Sequence, residues 1–452
     1  MTSEIKTRRR PQMRSFFVAV DDFQQGSDSP SAFLERCLNA IEKHEPDVGA
    51  FVATDFDAAR REAERSSARW KVGASLSAID GMPIGIKDIM ETAAMVTEQG
   101  SPLFKGWVGG RDCAAVAALR EAGAVILGKT VTTEFASTQP RGTRNPWDLE
   151  RTPGGSSSGS GAAVACGMLP GALGSQVVGS TIRPASYCGA FGYKPSVGGI
   201  NRGGSFDGLS QSCTGVIAAS LAECWVIARE ISARAGGDPG YPGVLGPREL
   251  PASVPPRRLA MLRTGGWDKA SDAAKSALAK ARERLSKAGI EVIDAASSAL
   301  VSDVEAAIAD ALTLSWGIVG WEGRWPLNTY KRDMDAAGLS ESALKRLAQA
   351  EAMTQEDYQA LLAQRDHARA AYALLRSEVD ACITLAAPGA APRGLDWTGD
   401  PSFTVPTSLV GMPSVSLPVL EDDGMPLGLQ VIGFTNEDAE LFAAAGGVLA
   451  RF

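Results

Sequence analysis

Apolar and polar positions along this chain change between a helical period and a strand period. Between Ser31 and Lys43 the apolar residues recur three and four positions apart, which is the spacing of one helix face. They are Phe33, Leu34, Cys37, Leu38 and Ile41. The pattern therefore predicts an amphipathic helix here, followed by a strand from Val48 to Thr54.

The next part of the chain repeats this order of helix and strand. Asp112 precedes an apolar-periodic stretch, and we expect it to cap a helix that continues through Ala122 and ends at Gly123. The residues from Ala124 to Leu127 are all apolar, which predicts a buried strand.

The same alternation continues past the middle of the chain. A strand is predicted from Arg258 to Arg263, a helix from Ser271 to Ala288, and a strand from Ile290 to Ile293. Gly289 separates the last two elements and ends the helix. Alternation of this kind predicts an α/β architecture with a mostly parallel or mixed sheet.

Two stretches depart from the alternation. Residues 239–256 are rich in Pro and Gly, which predicts a linker or a long loop. Residues from about 296 to 380 have apolar positions at a helical period, which predicts a helical insertion.

Composition and charge exclude several classes of protein. The 452 residues carry a net charge of −7, which offers no electrostatic footprint for nucleic acid. The one basic run, Lys6–Arg10, is interpreted as a mobile, solvated tail. No apolar run reaches the roughly 18 residues that span a bilayer, and the first residues lack the apolar stretch of a secretory signal. Seven scattered cysteines indicate reduced thiols in a cytoplasm.

The histidine count narrows the chemistry further. The sequence has only two histidines, His44 and His367, and both fall in polar, helical surroundings. A Ser-His-Asp triad and a multi-histidine metal site are therefore disfavoured, and an enzyme with this sequence needs another base. We expect neither a metal ion nor an organic cofactor.

The segment from Thr152 to Gly161 consists of Gly, Ser and Thr apart from Pro153. Such a loop brings backbone N–H groups and hydroxyls close together. A flexible linker has the same composition, but the small apolar run Ala162–Ala165 follows directly, which favours a loop inside a domain.

Two further elements carry candidate chemistry. Ser180 follows a glycine turn and is predicted to open a short helix, as a nucleophile or as a helix N-cap. Lys87 follows the short apolar strand Ile84–Ile86, and a lysine buried there can act as a base.

One motif is misleading. Residues Gly123–Thr130 match the phosphate-loop pattern G-x-x-x-x-G-K-[ST]. Its four middle positions are Ala124 to Leu127, which are predicted to be a strand rather than a flexible loop. Nucleotide binding at this motif is therefore disfavoured.

Taken together, these elements resemble the amidase signature enzymes. The resemblance extends from about residue 30 to the end of the chain, and the motifs occur in the family's order. The separation of 24 residues between Ser156 and Ser180 is also the family's own. The matching stretches are Ile84–Asp88, Gly128–Thr130, Thr133–Ala136, Gly154–Ser157, Gly179–Gly189 and Pro426–Gln430.

The resemblance implies a fold and a domain organisation. The fold is one large α/β domain, a mixed β-sheet covered by helices. The division that we expect is an N-terminal tail and helical arm over residues 1–60 and the α/β domain over 61–452. The mainly helical variable insertion is expected at about residues 240–380.

The resemblance also implies a Ser-Ser-Lys triad. Ser180 matches the nucleophile, Ser156 the bridging serine with its usual cis peptide bond, and Lys87 the base. The backbone amides of Val177, Val178 and Gly179 match the oxyanion hole. The residue chemistry agrees, because a neutral lysine acting through a second hydroxyl can take the proton where no histidine is available.

Three positions depart from the family's text. Ser158 occupies a usual glycine position, Gln176 replaces an acid, and Val178 replaces a glycine. Since valine does not adopt a positive φ cheaply, the shape of the oxyanion hole is in question. We expect a path that tolerates valine, with its side chain narrowing the pocket mouth.

Substrate preference is only weakly encoded. Trp316, Trp321 and Trp325 could line an acyl pocket for an apolar or aryl amide, although core packing explains them as well. Arg183 could face a substrate carboxylate or be paired structurally. Phe135, in a matching stretch, is a further candidate substrate contact.

The function predicted is an amidase that cleaves a linear carboxylic amide to an acid and an amine or ammonia. The expected partners are a small-molecule amide and, at most, a second copy of the chain in a homodimer, with no nucleic acid and no membrane. One alternative is an amide-transfer subunit resembling the glutamine-dependent amidotransferases that act on charged tRNA. The other is a non-catalytic binding protein on the same fold, suggested by Val177 and Val178.

Overall fold

The computed structural model describes residues 10–452. Most of the basic run Lys6–Arg10 lies outside these residues, so its interpretation as a tail stays a prediction. Arg10 is exposed, with a guanidinium nitrogen 3.6 Å from Glu421 Oε2.

Eleven strands of residues 10–452 form one mixed sheet. Its order is β1-β3-β2-β4-β6-β5-β10-β11-β9-β7-β8, where the strands are β1 Phe51–Thr54, β2 Pro83–Lys87, β3 Val125–Thr130, β4 Gly171–Gln176, β5 Phe191–Lys194, β6 Cys213–Ala218, β7 Arg258–Met261, β8 Glu291–Ile293, β9 Ala381–Leu385, β10 Ser414–Asp422 and β11 Met425–Ile432. Strand β2 pairs in parallel with both β3 and β4, and β7 pairs in parallel with β8 and β9. The expected α/β fold with a mixed sheet is confirmed.

Helices cover both faces of the sheet. Those of residues 10–452 are α1 Val20–Gln25, α2 Pro30–Val48, α3 Phe56–Lys71, α4 Ala114–Glu121, α5 Ser158–Ala165, α6 Ile182–Cys188, α7 Leu221–Ala235, α8 Asp272–Lys287, α9 Ala299–Ile308, α10 Ala311–Asp333, α11 Glu341–Glu351, α12 Gln355–Leu374, α13 Val405–Val410 and α14 Asp438–Leu449. Val125 and Leu127 of β3 pack with α2, α3 and α5, whereas Ile126 packs with α4 and α7. This alternation places one hydrophobic core on each face.

Several predicted elements are confirmed. Helix α8 begins after Ser271, whose hydroxyl accepts from the Ala274 amide at its N-terminus. No helix or strand interrupts the segment between α7 and β7, and helices α9 to α12 occupy most of residues 299–374. The misleading phosphate-loop motif is indeed strand β3, and its Lys129 is buried.

Two predicted boundaries are wrong. Helix α2 continues to Val48, so the predicted strand begins only at Phe51. The Glu45 carboxylate, near the end of α2, accepts the amides of Ala50 and Phe51 and so joins the helix directly to β1. Asp112 does not cap α4: its carboxylate accepts from the Ala93 amide and the Arg120 side chain, and the capping position is Cys113.

The predicted division of the chain at residue 60 is not decided by these contacts and stays a prediction. Strand β1, which precedes residue 60, is an edge strand of the common sheet. Phe16, Phe23 and Phe33 pack in the same core as helices α4 and α7.

Candidate active site

Lys87 is the last residue of β2 and is completely buried. Since β2 and β4 are parallel, with Ile86 beside Leu173, their carboxyl ends meet at the same edge of the sheet. Lys87 Nζ lies 2.7 Å from Ser156 Oγ and 2.7 Å from Ser175 Oγ. Burial lowers the pKa of Lys87 from 10.5 to about 7, so a large fraction is neutral amine at neutral pH.

Ser156 lies in the Gly/Ser loop that leads into α5, and its peptide bond with Gly155 is cis. The loop is fixed to the β3 side of the sheet, because the Thr133 amide donates to Ser156 O at 3.2 Å. Helix α5 packs so closely that a Cβ on Gly159 would lie 2.1 Å from Ala50 O. The small residues of this segment therefore serve close packing, and the flexible-linker alternative does not apply.

Ser180 lies in the turn between β4 and α6 and is 8% exposed. Its hydroxyl has no hydrogen-bond partner among the described residues. Helix α6 begins at Ile182 and its capping position is Thr181, so Ser180 is not the N-cap. The Ser157 amide donates to Ser180 O at 3.4 Å, which connects this turn to the loop of Ser156.

Four consecutive backbone amides end at Ser180. Within residues 10–452, the N–H groups of Val177, Val178, Gly179 and Ser180 donate no hydrogen bond. The Gln176 carboxamide holds the turn from inside: its Oε1 accepts the Thr181 and Ile182 amides, each at 3.0 Å, and its Nε2 donates to Ser408 Oγ. The neutral carboxamide of Gln176 thus accepts the two hydrogen bonds that the carboxylate of an acidic residue could accept at this position.

The backbone at Val178 follows the valine-tolerant path that we expect, but its side chain does not narrow the pocket mouth. It is not among the residues with positive φ, so the turn does not need glycine there. Its side chain is 7% exposed and packs in a hydrophobic cluster with Val405 and Leu409. The valine therefore extends into the core rather than across the pocket mouth, and Val177 is the more exposed of the two.

Arg183 is buried on α6 and bonds to two loops. Its Nη2 donates to Gly155 O at 2.7 Å and to Thr398 Oγ1 at 3.1 Å. No carboxylate of residues 10–452 lies within 4.0 Å of its guanidinium, and burial lowers its pKa. Structural pairing of Arg183 is thus present, and its contact with a substrate carboxylate stays a prediction.

Phe135 belongs to an aromatic cluster next to the loop of Ser156. It has a positive φ of 48°, and its ring centroid lies 5.4 Å from Tyr330 on α10 and 6.3 Å from Phe104. Phe104 also contacts Trp107 and Phe206. The cluster is partly exposed and forms a candidate wall for an apolar substrate group.

The three tryptophans of α10 have different surroundings. Trp316 packs against the cluster that contains Val177 and Val178, near the turn of Ser180. Trp321 stacks on Tyr358 at 5.5 Å, and Trp325 is 70% exposed at a break in the helix. A role of Trp316 in substrate binding stays a prediction, and Trp325 lies at the surface.

Ser175 is a site residue that the sequence did not single out. Its hydroxyl is the second partner of Lys87, and its amide donates to Ser157 Oγ at 3.2 Å. The only available signal was its position in the glycine turn before Ser180, because the contact itself depends on how β2 and β4 pair. His44 and His367 lie on α2 and α12, outside this site.

Two further kinds of feature were sought among the described residues, a group of metal ligands and a membrane-spanning helix. Among residues 10–452, no group of three or more His, Cys, Asp or Glu side chains is placed to hold a metal ion. In the same part of the chain, no helix combines the length and the apolar character needed to cross a bilayer.

Comparisons with known proteins give matches over most of the length of this chain. A family model described as Amidase matches residues 32–442. A glutamyl-tRNA(Gln) amidotransferase subunit of Anaeromyxobacter dehalogenans (strain 2CP-C) is 31% identical over 462 residues, which cover 92% of each chain. The protein of the same name from Roseiflexus castenholzii (strain DSM 13941 / HLO8) is 31% identical over 466 residues, 92% of this chain and 91% of the relative.

Solved structures with the same fold are also similar to this chain. A crystal structure of an amidase superposes with a TM-score of 0.83 at 26% identity and covers 97% of this chain and 100% of its own. A chain from a vestigial protein complex, described as revealing the origins of an s-triazine catabolic enzyme, has a TM-score of 0.84 at 27% identity. It covers 97% of this chain and 98% of its own.

Proposed function

This chain belongs to the amidase signature family, as its motifs indicated, and we propose that it hydrolyses a linear carboxylic amide to an acid and an amine or ammonia. The observation that carries the proposal is the buried contact of Lys87 Nζ with Ser156 Oγ at 2.7 Å. A completely buried amine whose pKa is near 7 is suited to accept a proton at neutral pH.

In the proposed acylation step, Ser180 Oγ attacks the amide carbonyl carbon. The Ser180 proton passes to Ser156 Oγ, and the Ser156 proton passes to the neutral Lys87 amine. The carbonyl oxygen becomes an oxyanion, which unpaired amides of residues 177–180 can stabilise, since removal of one oxyanion donor typically costs about 10²–10³ in kcat. The Lys87–Ser156 part of this relay is in place, whereas the Ser180 hydroxyl has no partner among the described residues, so its hydrogen bond to Ser156 is expected to form when substrate binds.

Collapse of the tetrahedral intermediate breaks the C–N bond. Lys87 returns a proton through Ser156 to the leaving nitrogen, which departs as an amine or ammonia. Water then attacks the ester formed on Ser180, with the same relay accepting its proton, and the acid is released. As the ester C–O bond breaks, the relay passes the water proton to Ser180 Oγ, which replaces the proton that left with the amine, so the protons balance over the full cycle.

The first experiment tests the nucleophile. We expect Ser180→Ala to remove nearly all hydrolysis of small amides and all labelling by a fluorophosphonate, while its thermal unfolding stays close to wild type. Ser158→Ala is the matched control, because Ser158 begins helix α5 two residues after Ser156, and the hydrogen bonds of Lys87 Nζ go to Ser156 and Ser175 instead. Normal turnover by Ser180→Ala would exclude Ser180 as the nucleophile and make Ser156 the candidate.

An amide-transfer subunit is the second candidate, because curated relatives over 92% of the chain are named as subunits of a glutamyl-tRNA(Gln) amidotransferase. The two candidates differ in what the purified chain does alone. A hydrolase releases acid from small amides without partner proteins, whereas a transfer subunit needs its partners for glutamine-dependent transfer. Absence of turnover together with strong fluorophosphonate labelling would favour the transfer subunit, and absence of both would favour a binding protein.

The substrate contacts remain part of the proposal. Arg183, Phe135 and Trp316 are the residues that we expect to meet the substrate, with a carboxylate facing Arg183 and an apolar or aryl group facing the aromatic side chains. A panel of aliphatic, aryl and carboxylated amides, compared on wild type and Phe135→Leu, tests the aromatic contact. A KM that rises for aryl amides and not for aliphatic ones supports it.

A further inference from the structure

Gln211, two residues before β6, has a completely buried carboxamide that no sequence motif indicated. Its Nε2 donates to Val177 O at 2.8 Å, whereas its Oε1 has no hydrogen-bond partner among the described residues. Burying an acceptor without a partner costs free energy, which an apolar side chain of similar size would avoid. Packing alone therefore does not account for a glutamine at this position.

The pairing of β4 with β6 brings Gln211 beside the turn of Ser180. The two strands are antiparallel, and the last residue of β4, Gln176, lies opposite the first residue of β6, Cys213. The chain therefore leaves β4 at Val177 next to the point where it enters β6. The bond from Gln211 to Val177 O joins the two segments just beyond the end of the ladder.

This bond also sets the direction of an N–H group. Val177 O and the Val178 N–H belong to one peptide unit, which is planar and trans. In such a unit the C=O and the N–H point to opposite sides, so the Val178 N–H points away from the Gln211 carboxamide. Within residues 10–452 this N–H has no acceptor. A side chain that fixes the carbonyl on one side thus fixes an available donor on the other.

Two helices of the helical insertion hold the residue before Gln211. The Glu322 carboxylate on α10 accepts the Ser210 amide at 2.8 Å and also accepts the Ser210 hydroxyl. Arg365 Nη1 on α12 donates to the same hydroxyl at 2.7 Å, and the Tyr358 hydroxyl donates to Glu322 Oε1 at 2.8 Å. The backbone at Gln211 is therefore held from two sides, by β6 and by the insertion.

We propose that Gln211 is a positioning residue that aims the Val178 N–H at the oxyanion formed when Ser180 attacks, and that Glu322 supports it through Ser210. The inference rests on the proposed function, because it requires the oxyanion of an acyl transfer. A preorganised donor of this kind stabilises the charge that develops in the transition state more than it stabilises the bound substrate. Loss of its aim lowers kcat and leaves KM nearly unchanged.

The first test measures kcat and KM on one small, uncharged amide for wild type and Gln211→Met. Methionine is close to glutamine in size and shape but has no N–H to donate, so it removes the hydrogen bond without opening a large cavity. We expect kcat to fall by about 10- to 100-fold, somewhat less than the 10²–10³ for complete removal of an oxyanion donor, with KM within about twofold of wild type. Gln211→Leu serves in its place if Gln211→Met does not fold, since leucine also lacks the donor.

Thr384→Val is the matched control. It removes another buried side-chain donor, whose hydroxyl bonds to Leu262 O at 2.9 Å on β9, and four strands separate β9 from β4 in the sheet. Its kcat should stay close to wild type. Equal losses of kcat in Thr384→Val and Gln211→Met would overturn the proposal, and so would a normal kcat in Gln211→Met. A raised KM with unchanged kcat would make Gln211 a substrate contact instead.

A double-variant cycle tests the support from the insertion. Glu322→Ala removes the acceptor of the Ser210 amide and hydroxyl, and we expect a smaller loss of kcat than in Gln211→Met. Combined with Gln211→Met it should cause little further loss, because both changes act on the same peptide unit. Independent, multiplying losses in the double variant would show that Glu322 acts elsewhere and would overturn its part in the proposal.

Crystal structures of wild type and Gln211→Met separate this inference from the proposed function. We expect the Val177–Val178 peptide to rotate in the variant, because Val177 O loses its donor. A peptide that keeps its wild-type orientation would overturn the proposal whatever the activity. If wild type neither hydrolyses amides nor reacts with a fluorophosphonate, the proposed function fails, and the two structures still decide whether Gln211 orients this peptide.

Discussion

Lys87 combines complete burial with hydroxyl partners, and this combination determines the pH at which it can accept a proton. We expect kcat/KM on an uncharged amide to rise with pH through about 7, because below that value the folded protein holds Lys87 as an ammonium. Lys87→Ala should remove the rising limb together with most activity. A limb near pH 10 in wild type, where an exposed lysine titrates, would contradict this role of burial.

Gln176 gives a second prediction at this scale, because its side chain fixes the turn whose amides are proposed to bind the oxyanion. Gln176→Leu leaves the Thr181 and Ile182 amides without their acceptor, and we expect kcat to fall by about 10²–10³, as for a lost oxyanion donor. Ser408→Ala is the control, since it removes only the bond to Gln176 Nε2 and should cost much less. Equal losses of kcat in the two variants would show that the Gln176 Oε1 acceptor does not determine the rate. Single-turnover acylation rates distinguish the outcomes.

Individual site residues show which parts of the site could be predicted from the sequence and which could not. Lys87 and Ser156 could be proposed from motifs, because each stands in a short local pattern. Ser175 could not, since its contact with Lys87 depends on the pairing of β2 with β4.

At the scale of helices and strands, local signals determined how well the boundaries could be predicted. Helix α8 has regular apolar spacing and a serine cap, and its ends were predicted correctly. Helix α2 was predicted to end too early because Pro46 and the apolar Val48 suggested a strand. The Glu45 carboxylate, which accepts two amides of the following segment, makes a sharp junction that no periodicity reveals.

The close packing of α5 gives a prediction at this scale. A Cβ on Gly159 would lie 2.1 Å from Ala50 O and 2.4 Å from Val131 N, and both are backbone atoms that cannot move aside. We expect Gly159→Ala to lower the free energy of unfolding by about 3 kcal/mol or more, the upper end of overpacking effects. Denaturant unfolding provides the measurement.

The control is another glycine within a helix. Gly320 lies in α10, where the nearest atom to an added Cβ is 3.9 Å away. Gly320→Ala should therefore be neutral or stabilising by up to about 1 kcal/mol, the difference in helix propensity. A loss as large as that of Gly159→Ala would show that the close approach in α5 is not the cause.

At the scale of the whole molecule, the last strands of the chain lie inside the sheet. Strands β10 and β11 lie between β5 and β9, and Ser414 to Ser416 pair directly with Lys194 to Gly192. Thr398 and Ser408 also contact Arg183 and Gln176 of the candidate site. The two sides of the long loop at 239–256 are thus joined in one structure.

This arrangement predicts different results for a cut and for a deletion. A protease site inserted in the exposed loop near residues 252–254 should give two fragments that stay together in size-exclusion chromatography, because the β5–β10 pairing holds them. Deletion of residues 414–452 should instead give insoluble or protease-sensitive protein, since β5 and β9 each lose one paired strand and become exposed edges. Fragments that separate after cutting would contradict the predicted strength of this pairing.

The same strand order has a consequence for synthesis on the ribosome. Strand β5 leaves the exit tunnel long before β10 is translated, and at ordinary rates of translation this interval is on the order of ten seconds or more. During that time the growing chain presents an open strand edge flanked by apolar side chains, which favours binding by chaperones over early folding. The Gly/Ser loop and the turn of Ser180 are made early, but their contacts with Thr398 and Ser408 form only near the end of translation. A nascent chain is therefore expected to acquire a reactive serine only when its final strands have been released.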